Sequence, residues 1–325
     1  MIFAGLIRVN PCSSVVNNSP VAVIDIGSNS IKTLVAIRAA DGSIQPLATK
    51  TLDARISAGI SHAEPRLSDE GISRGLAAIR ELLDFISPFS PSALTLVATS
   101  AVRDARNGAD FRELVRASTG HDIRILTGDE EANLIGRGLT CDPTLASLQN
   151  FYVFDLGGGS LECLAFRDRQ IQHAVSLPLG CVRLTEALVR SPADPIPFGI
   201  LAAVQTLVTA TLRSQFSFPL DAAPAVATGG TVTTVRAILA ANASIPLEQT
   251  PTTLELPLFR RLCEQLAAAP LAVRQQIPGL PAARADVFPI ALATLVAIAD
   301  AGGFATYRHS LYNLRYGLAD ELLAR

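Results

Sequence analysis

The stretch that decides the fold is VAVIDIGSNSIKTLVAI, residues 21–37, together with its later counterpart FYVFDLGGGSLECLAF, residues 151–166. Each is an apolar run, a turn of small residues and a second apolar run, which predicts a β-hairpin. The first run ends around Asp25 in one copy and around Asp155 in the other. Because the pattern recurs at a domain-sized interval, it predicts two similar halves that face each other.

Between and after the hairpins, predicted strands alternate with predicted helices. Ser68 is a good N-cap for a helix that runs to the prolines at 88 and 91. Predicted strands at 94–100 and 122–126 each lead into a helix, and the strand before Gly229 does the same. This alternation predicts an α/β fold.

The chain of 325 residues is long enough for two domains. We expect a loose leader over residues 1–20 and a first lobe over 21–130. A C-terminal helix at about 311–325 would complete the first lobe, and the second lobe would span 131–310.

Composition excludes several classes of protein. The 27 basic and 29 acidic side chains give a net charge of -2, which is unlike a general nucleic-acid binder. The five cysteines form no CxxC pair and the four histidines no HxxxH spacing, so zinc and disulfide frameworks are not indicated. The longest apolar run, 287–299, is too short to span a bilayer, and the first residues argue against a secretory signal. The sequence therefore predicts a soluble, cytoplasmic protein.

The turns GSNS and GGGS place small residues directly after a strand. Backbone N–H groups of such turns can bind an anion closely. Asp25 and Asp155 would then lie beside the anion, and a bridging Mg²⁺ would allow this arrangement. Glu162 should return beside Asp155 on the next strand and share the metal. The alternatives are that each Asp merely belongs to a hairpin turn and that Glu162 faces water at a sheet edge.

Three further features could bind or react with phosphate. The acids Asp129, Glu130 and Glu131 begin a helix, where they could also serve only to complement its dipole. The loop Gly229-Gly230-Thr231 stands at another helix start and is a weak phosphate signal. Arg103 is a candidate clamp or a solvated helix residue. The sequence lacks the signatures of P-loop proteins, serine hydrolases and zincins. Phosphoryl transfer at a site formed by the Gly-rich hairpins therefore remains as the predicted chemistry.

The sequence resembles the exopolyphosphatase / guanosine pentaphosphate phosphohydrolase (Ppx/GppA) family over nearly the whole chain after the leader. The resemblance is carried by the two hairpins and by five further segments: ATSAVRDARN, GDEEANLIGRG, SLPLGCVRLTE, ATGGTVTTVRAI and GLPAARADVFPIAL. It implies duplicated actin-like ATPase (RNase H-like) domains facing a central cleft. The chain resembles a short form of the family, without the HD-type helical module of longer members. The resemblance therefore does not imply processive hydrolysis of long polyphosphate chains.

The resemblance also implies roles for individual residues. Glu131 would be the general base that activates water. Asp155 and Glu162 would hold Mg²⁺, with Asp25 joining them. The residues that would cradle phosphate are Ser28, Asn29, Arg103, Gly157, Gly158 and Gly159, and the third loop would add Gly229, Gly230 and Thr231.

The function expected from this resemblance is Mg²⁺-dependent release of orthophosphate from the end of inorganic polyphosphate. Hydrolysis of the 5′-phosphate of pppGpp is the first alternative, because both substrates present a terminal phosphoanhydride. A small-molecule kinase and a non-catalytic sensor of polyphosphate or alarmone on the same fold are the others. We expect no nucleic-acid or membrane partner, and the sequence leaves a homodimer open.

Overall fold

The computed structural model describes residues 19–61, 64–220 and 222–324. Apart from its last two residues, the expected leader of residues 1–20 lies outside the described residues. The chain divides into two compact units. The first runs to Ala146 and is completed by the chain from Tyr312 onward, whereas the second comprises Ser147–Leu311.

The first unit is built on a five-stranded mixed sheet with the order β3-β2-β1-β4-β5. Its strands are β1 (Val21–Ile26), β2 (Ile31–Arg38), β3 (Ile44–Leu52), β4 (Ala93–Ala98) and β5 (Ile123–Ile125). Strand β1 pairs antiparallel with β2 and parallel with β4, so the first predicted hairpin is confirmed. Nearly all of β1 is buried, which explains its continuous apolar run.

Four helices of the first unit follow the strands in the expected alternation. They are α1 (Asp69–Ile86), α2 (Ser100–Arg103), α3 (Gly108–Thr119) and α4 (Gly128–Thr140). The predicted cap is confirmed, because Ser68 Oγ accepts a 3.0 Å hydrogen bond from the N–H of Gly71. Helix α4 begins with a capping box between Thr127 and Glu130.

The second unit is built on a six-stranded sheet with the order β10-β11-β9-β6-β7-β8. Its strands are β6 (Phe151–Leu156), β7 (Leu161–Arg167), β8 (Gln170–Leu177), β9 (Ala225–Thr228), β10 (Thr253–Glu255) and β11 (Thr306–His309). Strand β6 pairs antiparallel with β7 and parallel with β9. The second predicted hairpin is therefore also confirmed, and each unit carries it at the same place beside a parallel strand.

The described residues of the second unit form the helices α5 (Cys181–Leu188), α6 (Phe198–Gln215), α7 (Gly230–Ala243), α8 (Leu256–Ala268), α9 (Leu271–Arg274) and α10 (Phe288–Gly302). Short 3₁₀ turns occur at Ser87–Phe89, Pro143–Leu145, Leu247–Gln249 and Ala282–Arg284. Helix α10 carries the longest apolar run and is buried almost throughout. Within the described part of the chain, no helix has the length and apolar character to cross a membrane.

The last helix, α11 (Leu314–Leu323), returns to the first unit and packs on α4. The backbones approach so closely that a Cβ on Gly317 would collide with the carbonyl of Leu134. Asp320 of α11 also accepts a 2.7 Å hydrogen bond from Arg137 of α4. The sequence placed the division of the chain after residue 130, inside α4. The structure places it after Ala146, because α4 packs as a whole on α11.

Candidate active site

Asp155 and Glu162 are direct cross-strand neighbours in the second unit, at the turn end of the β6–β7 hairpin. Glu162 is only 2 % exposed, and Ser176 Oγ of the adjoining strand donates a 2.7 Å hydrogen bond to its Oε1. The placement of Glu162 beside Asp155 is as expected. Two carboxylates that face each other in this way are a donor set that a cation can bridge. Among the described residues, no cluster of three or more His, Cys, Asp and Glu side chains could hold a metal.

The equivalent position of the first unit carries a cation of the protein itself. Asp25 lies opposite Lys32 across the β1–β2 hairpin, in the register that joins Asp155 to Glu162 in the other unit. Burial raises the pKa of the Asp25 carboxyl, while the charges of Lys32 and Arg315 act to lower it. The two hairpins therefore differ in charge at the same place, with an acid and a base in one and two acids in the other.

The GGGS turn is anchored through its carbonyl groups. The N–H of Cys181 donates to Gly157 O at 3.0 Å, and that of Val182 donates to Gly158 O at 2.8 Å. The start of α5 thus binds the back of the turn. The N–H groups of Gly158 and Gly159 donate to no acceptor within residues 19–61, 64–220 and 222–324. They are the type of donor that binds an anion.

The GSNS turn is anchored in the same manner by the segment after β3. Ser57 N–H donates to Ser28 O at 3.3 Å, and Arg55 N–H donates to Asn29 O at 2.9 Å. The Oγ atoms of Ser28 and Ser100 lie 3.2 Å apart. The Nδ2 atom of Asn29 is buried and has no hydrogen-bond partner in the described part of the chain. A buried donor in this condition can bind a ligand acceptor.

The Gly229-Gly230-Thr231 loop lies directly against Asp155. Gly229 has φ 90°, and a Cβ there would collide with Asp155 Oδ1, so both the conformation and the space require glycine. The guanidinium of Arg284 covers Gly230 so closely that a side chain there would collide with it. Thr231 Oγ1 is buried and lacks a hydrogen-bond partner among the residues described. The loop therefore brings an aspartate, a cation and helix N–H groups together.

Glu131 is paired with Arg103 inside the first unit. The Nη1 atom of Arg103 donates to Glu131 Oε2 at 2.8 Å and to Leu126 O at 3.1 Å. Glu131 is 5 % exposed. Its neighbour Glu130 points elsewhere, closing the capping box and pairing with Arg124 at 3.0 Å. The two acids of the same helical turn therefore have different surroundings.

The profile of the Ppx/GppA phosphatase family matches residues 34–325. The chain belongs to this family. The membership inferred from the sequence motifs is therefore confirmed, and both hairpin-bearing sheets agree with the expected α/β fold.

Several members of the Ppx/GppA family are similar to this chain. The guanosine-5′-triphosphate,3′-diphosphate pyrophosphatase of Vibrio vulnificus is 30 % identical over 311 residues, which cover 94 % of this chain and 60 % of the relative. The chain thus spans less than two thirds of that relative's length. A solved exopolyphosphatase of Cytophaga hutchinsonii is 21 % identical with a TM-score of 0.81, covering 94 % of this chain and 98 % of its own. The Aquifex aeolicus family enzyme is 24 % identical with a TM-score of 0.75, covering 94 % and 99 %.

Sequence reasoning did not single out some residues that contact the family motifs. They are Arg55, Ser57, Ser176, Arg284 and Arg315. Arg284 stands within GLPAARADVFPIAL, one of the segments that carry the resemblance, so a signal for it existed. Ser176 reaches the motifs through sheet register, Arg315 through the docking of α11, and Arg55 and Ser57 through the loop after β3. No local pattern of residues encodes these contacts.

Proposed function

We propose that this member of the Ppx/GppA family hydrolyses the terminal phosphoanhydride of inorganic polyphosphate and releases orthophosphate. The observation that carries the proposal is the cross-strand placement of Asp155 opposite Glu162, beside a glycine turn in which the N–H groups of Gly158 and Gly159 donate to no acceptor among the described residues. Two carboxylates next to anion-binding N–H groups are a combination suited to a metal–phosphate substrate and unsuited to a bare anion.

The donor set fits Mg²⁺. This ion takes oxygen ligands and is commonly held by one or two carboxylates together with substrate phosphates and water. In this proposal Asp155 and Glu162 hold the ion, and Ser176 fixes one oxygen of Glu162 by its hydrogen bond. Asp25 is the carboxylate at the corresponding position of the first unit. When bound, Mg²⁺ would neutralise charge that develops on the transferring phosphoryl group.

The phosphate groups are proposed to bind where donors lack acceptors. Among the described residues of the second unit, these donors are the N–H groups of Gly158 and Gly159 and of the first turn of α7, with Thr231 Oγ1 and the guanidinium of Arg284 beside it. In the described part of the first unit the donor is Nδ2 of Asn29, with Ser28 beside it in the GSNS turn. These donors are fixed before substrate binds, so little reorganisation opposes binding.

Glu131 is the proposed general base. It would take a proton from the attacking water while Arg103 stabilises charge on a phosphate oxygen. The hydrogen bond from Arg103 Nη1 to Glu131 Oε2 fixes the orientation of the carboxylate. Burial of Glu131 keeps this carboxylate away from bulk water.

Hydrolysis of the 5′-phosphate of pppGpp is the second candidate. It is favoured by the names of the curated relatives, since two Vibrio proteins at 29–30 % identity are guanosine-5′-triphosphate,3′-diphosphate pyrophosphatases. Both substrates end in the same anhydride, so the groups discussed above would act on either.

The test is phosphate release from short polyphosphate, long polyphosphate, pppGpp and ATP, each with Mg²⁺ and with EDTA. We expect Mg²⁺-dependent release from polyphosphate, with ATP the poorest substrate. Faster release from pppGpp would select the second candidate. Tight binding of polyphosphate without release would indicate a sensor, and transfer of phosphate from ATP to an added small molecule would indicate a kinase.

A further inference from the structure

A chain of buried hydrogen bonds in the second unit begins at Arg236 of α7. This guanidinium is 4 % exposed and is held by Thr250 Oγ1 and Leu247 O, both at 2.8 Å. Its Nη1 lies 3.0 Å from Nδ1 of His309, the last residue of β11. The other ring nitrogen, Nε2, lies 3.2 Å from Thr233 Oγ1. Thr233 Oγ1 donates in turn to Gly229 O at 2.9 Å.

The direction of every bond in this chain follows from Arg236. A guanidinium only donates, so His309 Nδ1 must accept and carries no proton. The neutral ring then carries its proton on Nε2 and donates it to Thr233, whose hydroxyl donates to Gly229 O. Burial, with the charge of Arg236, lowers the pKa of His309 to about 3, so the ring stays neutral at ordinary pH.

The hydroxyl of Thr233 is the shorter of two links between α7 and Gly229. The helical N–H of Thr233 reaches Gly229 O only at 3.4 Å, against 2.9 Å for Oγ1. His309 itself is fixed by sheet register, because it pairs with Ala227 on the parallel strand β9. The imidazole therefore connects β11 to the first turn of α7, at the glycine that touches Asp155.

We propose that His309 and Thr233 are positioning residues that hold the Gly229 carbonyl and thereby set the place of the Gly229-Gly230-Thr231 loop against Asp155. The inference rests on the phosphate-binding role given to that loop under the proposed function. The two side chains lie behind the loop and fix its position, and they do not take part in the chemistry.

Thr233→Val is the decisive variant. Valine keeps the shape and the Arg236–His309 pair, and it removes the hydroxyl that accepts from His309 and donates to Gly229. Thr294→Val is the matched control, because Thr294 Oγ1 is buried in α10 and donates to Ile290 O at 2.8 Å, the same type of bond within a helix. His309→Gln retains a donor and an acceptor, whereas His309→Leu retains neither.

We expect Thr233→Val to raise the KM for polyphosphate on the order of 3- to 10-fold, the loss of one hydrogen bond, with kcat little changed. Thr294→Val should melt at a similar temperature and keep the parent KM. His309→Leu should raise KM further, and His309→Gln should recover part of the loss. Equal KM values for Thr233→Val and Thr294→Val overturn the proposal.

A second measurement separates this inference from the proposed function. With four histidines in the chain, ¹⁵N-histidine labelling reports the tautomer of His309, which we expect to be Nε2–H. Binding of tripolyphosphate with Mg²⁺ is measured by calorimetry. If the parent binds but hydrolyses nothing, the proposed activity fails, and weaker binding by Thr233→Val still supports the positioning role. An Nδ1–H tautomer, or a parent that binds no tripolyphosphate, overturns it.

Discussion

The guanidinium of Arg103 donates a 2.8 Å hydrogen bond to the carboxylate of Glu131. Arg103 follows strand β4 and Glu131 follows strand β5, so the adjacent ends of two parallel strands bring them together. A buried acid held in this way differs from an acid that only complements a helix dipole, because its position is fixed by a second element of the fold. The pairing supports separate roles for Glu131 and its neighbour Glu130.

Replacing Glu131 with Gln should reduce kcat by about 10²- to 10⁴-fold, the usual effect of losing a general base. The amide still accepts from Arg103, so binding of polyphosphate should persist. Glu130→Gln is the control, because glutamine can close the capping box and turnover should stay within several-fold of the parent. Steady-state phosphate release measures both. Equal losses for the two variants would contradict the assignment of the base.

Asp155→Asn should raise the Mg²⁺ concentration required for half-maximal turnover, because an amide oxygen is a weaker ligand than a carboxylate. Asp168→Asn makes the same change at the other end of the β7 strand, in an exposed turn with φ 50° that asparagine tolerates. The control should leave the Mg²⁺ titration unchanged. A titration of Asp155→Asn that overlays the parent would remove Asp155 from the metal set.

Gly229→Ala should lose most activity and also stability, because the new Cβ meets Asp155 Oδ1 as well as an unfavourable φ of 90°. Gly42→Ala isolates the backbone effect, since Gly42 has φ 83° and no atom near its Cβ position. We expect Gly42→Ala to cost about 1 kcal/mol of unfolding free energy and no activity. Urea unfolding and phosphate release are the measurements. Full activity in Gly229→Ala would show that the loop does not need its close approach to Asp155.

Gly317→Ala should destabilise the fold by about 1–3 kcal/mol, because its Cβ would meet the carbonyl of Leu134 in α4. Gly199→Ala should instead be neutral or stabilising by up to about 1 kcal/mol, since that helical glycine has open space around it. Thermal and urea unfolding distinguish the two. A stable Gly317→Ala variant would mean that α11 can shift on α4 without loss.

Stability should depend on pH through His309. Its pKa in the folded chain is about 3, below the usual 6.5. At a pH between these two values, His309 binds a proton in the unfolded chain and not in the folded chain. The contribution to the free energy of unfolding that is present above about pH 6.5 is therefore lost as the pH falls, by up to about 1.4 kcal/mol per pH unit. The difference in unfolding free energy between the parent and His309→Gln should therefore narrow from pH 7 to pH 5. A constant difference would show that His309 does not stay neutral.

Much of the fold could be predicted because its signals are local. Hairpins at Asp25 and Asp155, the Ser68 cap and the strand that ends before Gly229 all follow from short patterns, and each is present as expected. The placement of Glu162 opposite Asp155 follows from the length of one turn. The alternation of strands and helices was enough to predict the α/β class.

Features that depend on packing between distant segments could not be predicted. Helix α4 was divided between two lobes because nothing within its sequence shows that Gly138 and Gly317 share an interface. The pairing of Arg103 with Glu131 depends on neighbouring strands, and the His309 network depends on β11 returning beside β9. The assigned roles of the site residues, the homodimer and the cytoplasmic location remain predictions.

Helix α11 belongs to the first unit but follows the whole second unit along the chain. During synthesis the second unit, which is continuous from Ser147 to Leu311, has all its residues before the first unit does. Helix α4, which carries Glu131, therefore cannot pack on α11 until the whole second unit has been synthesised. Deletion of α11 should therefore leave the second unit folded and the first unit open to cleavage by proteases.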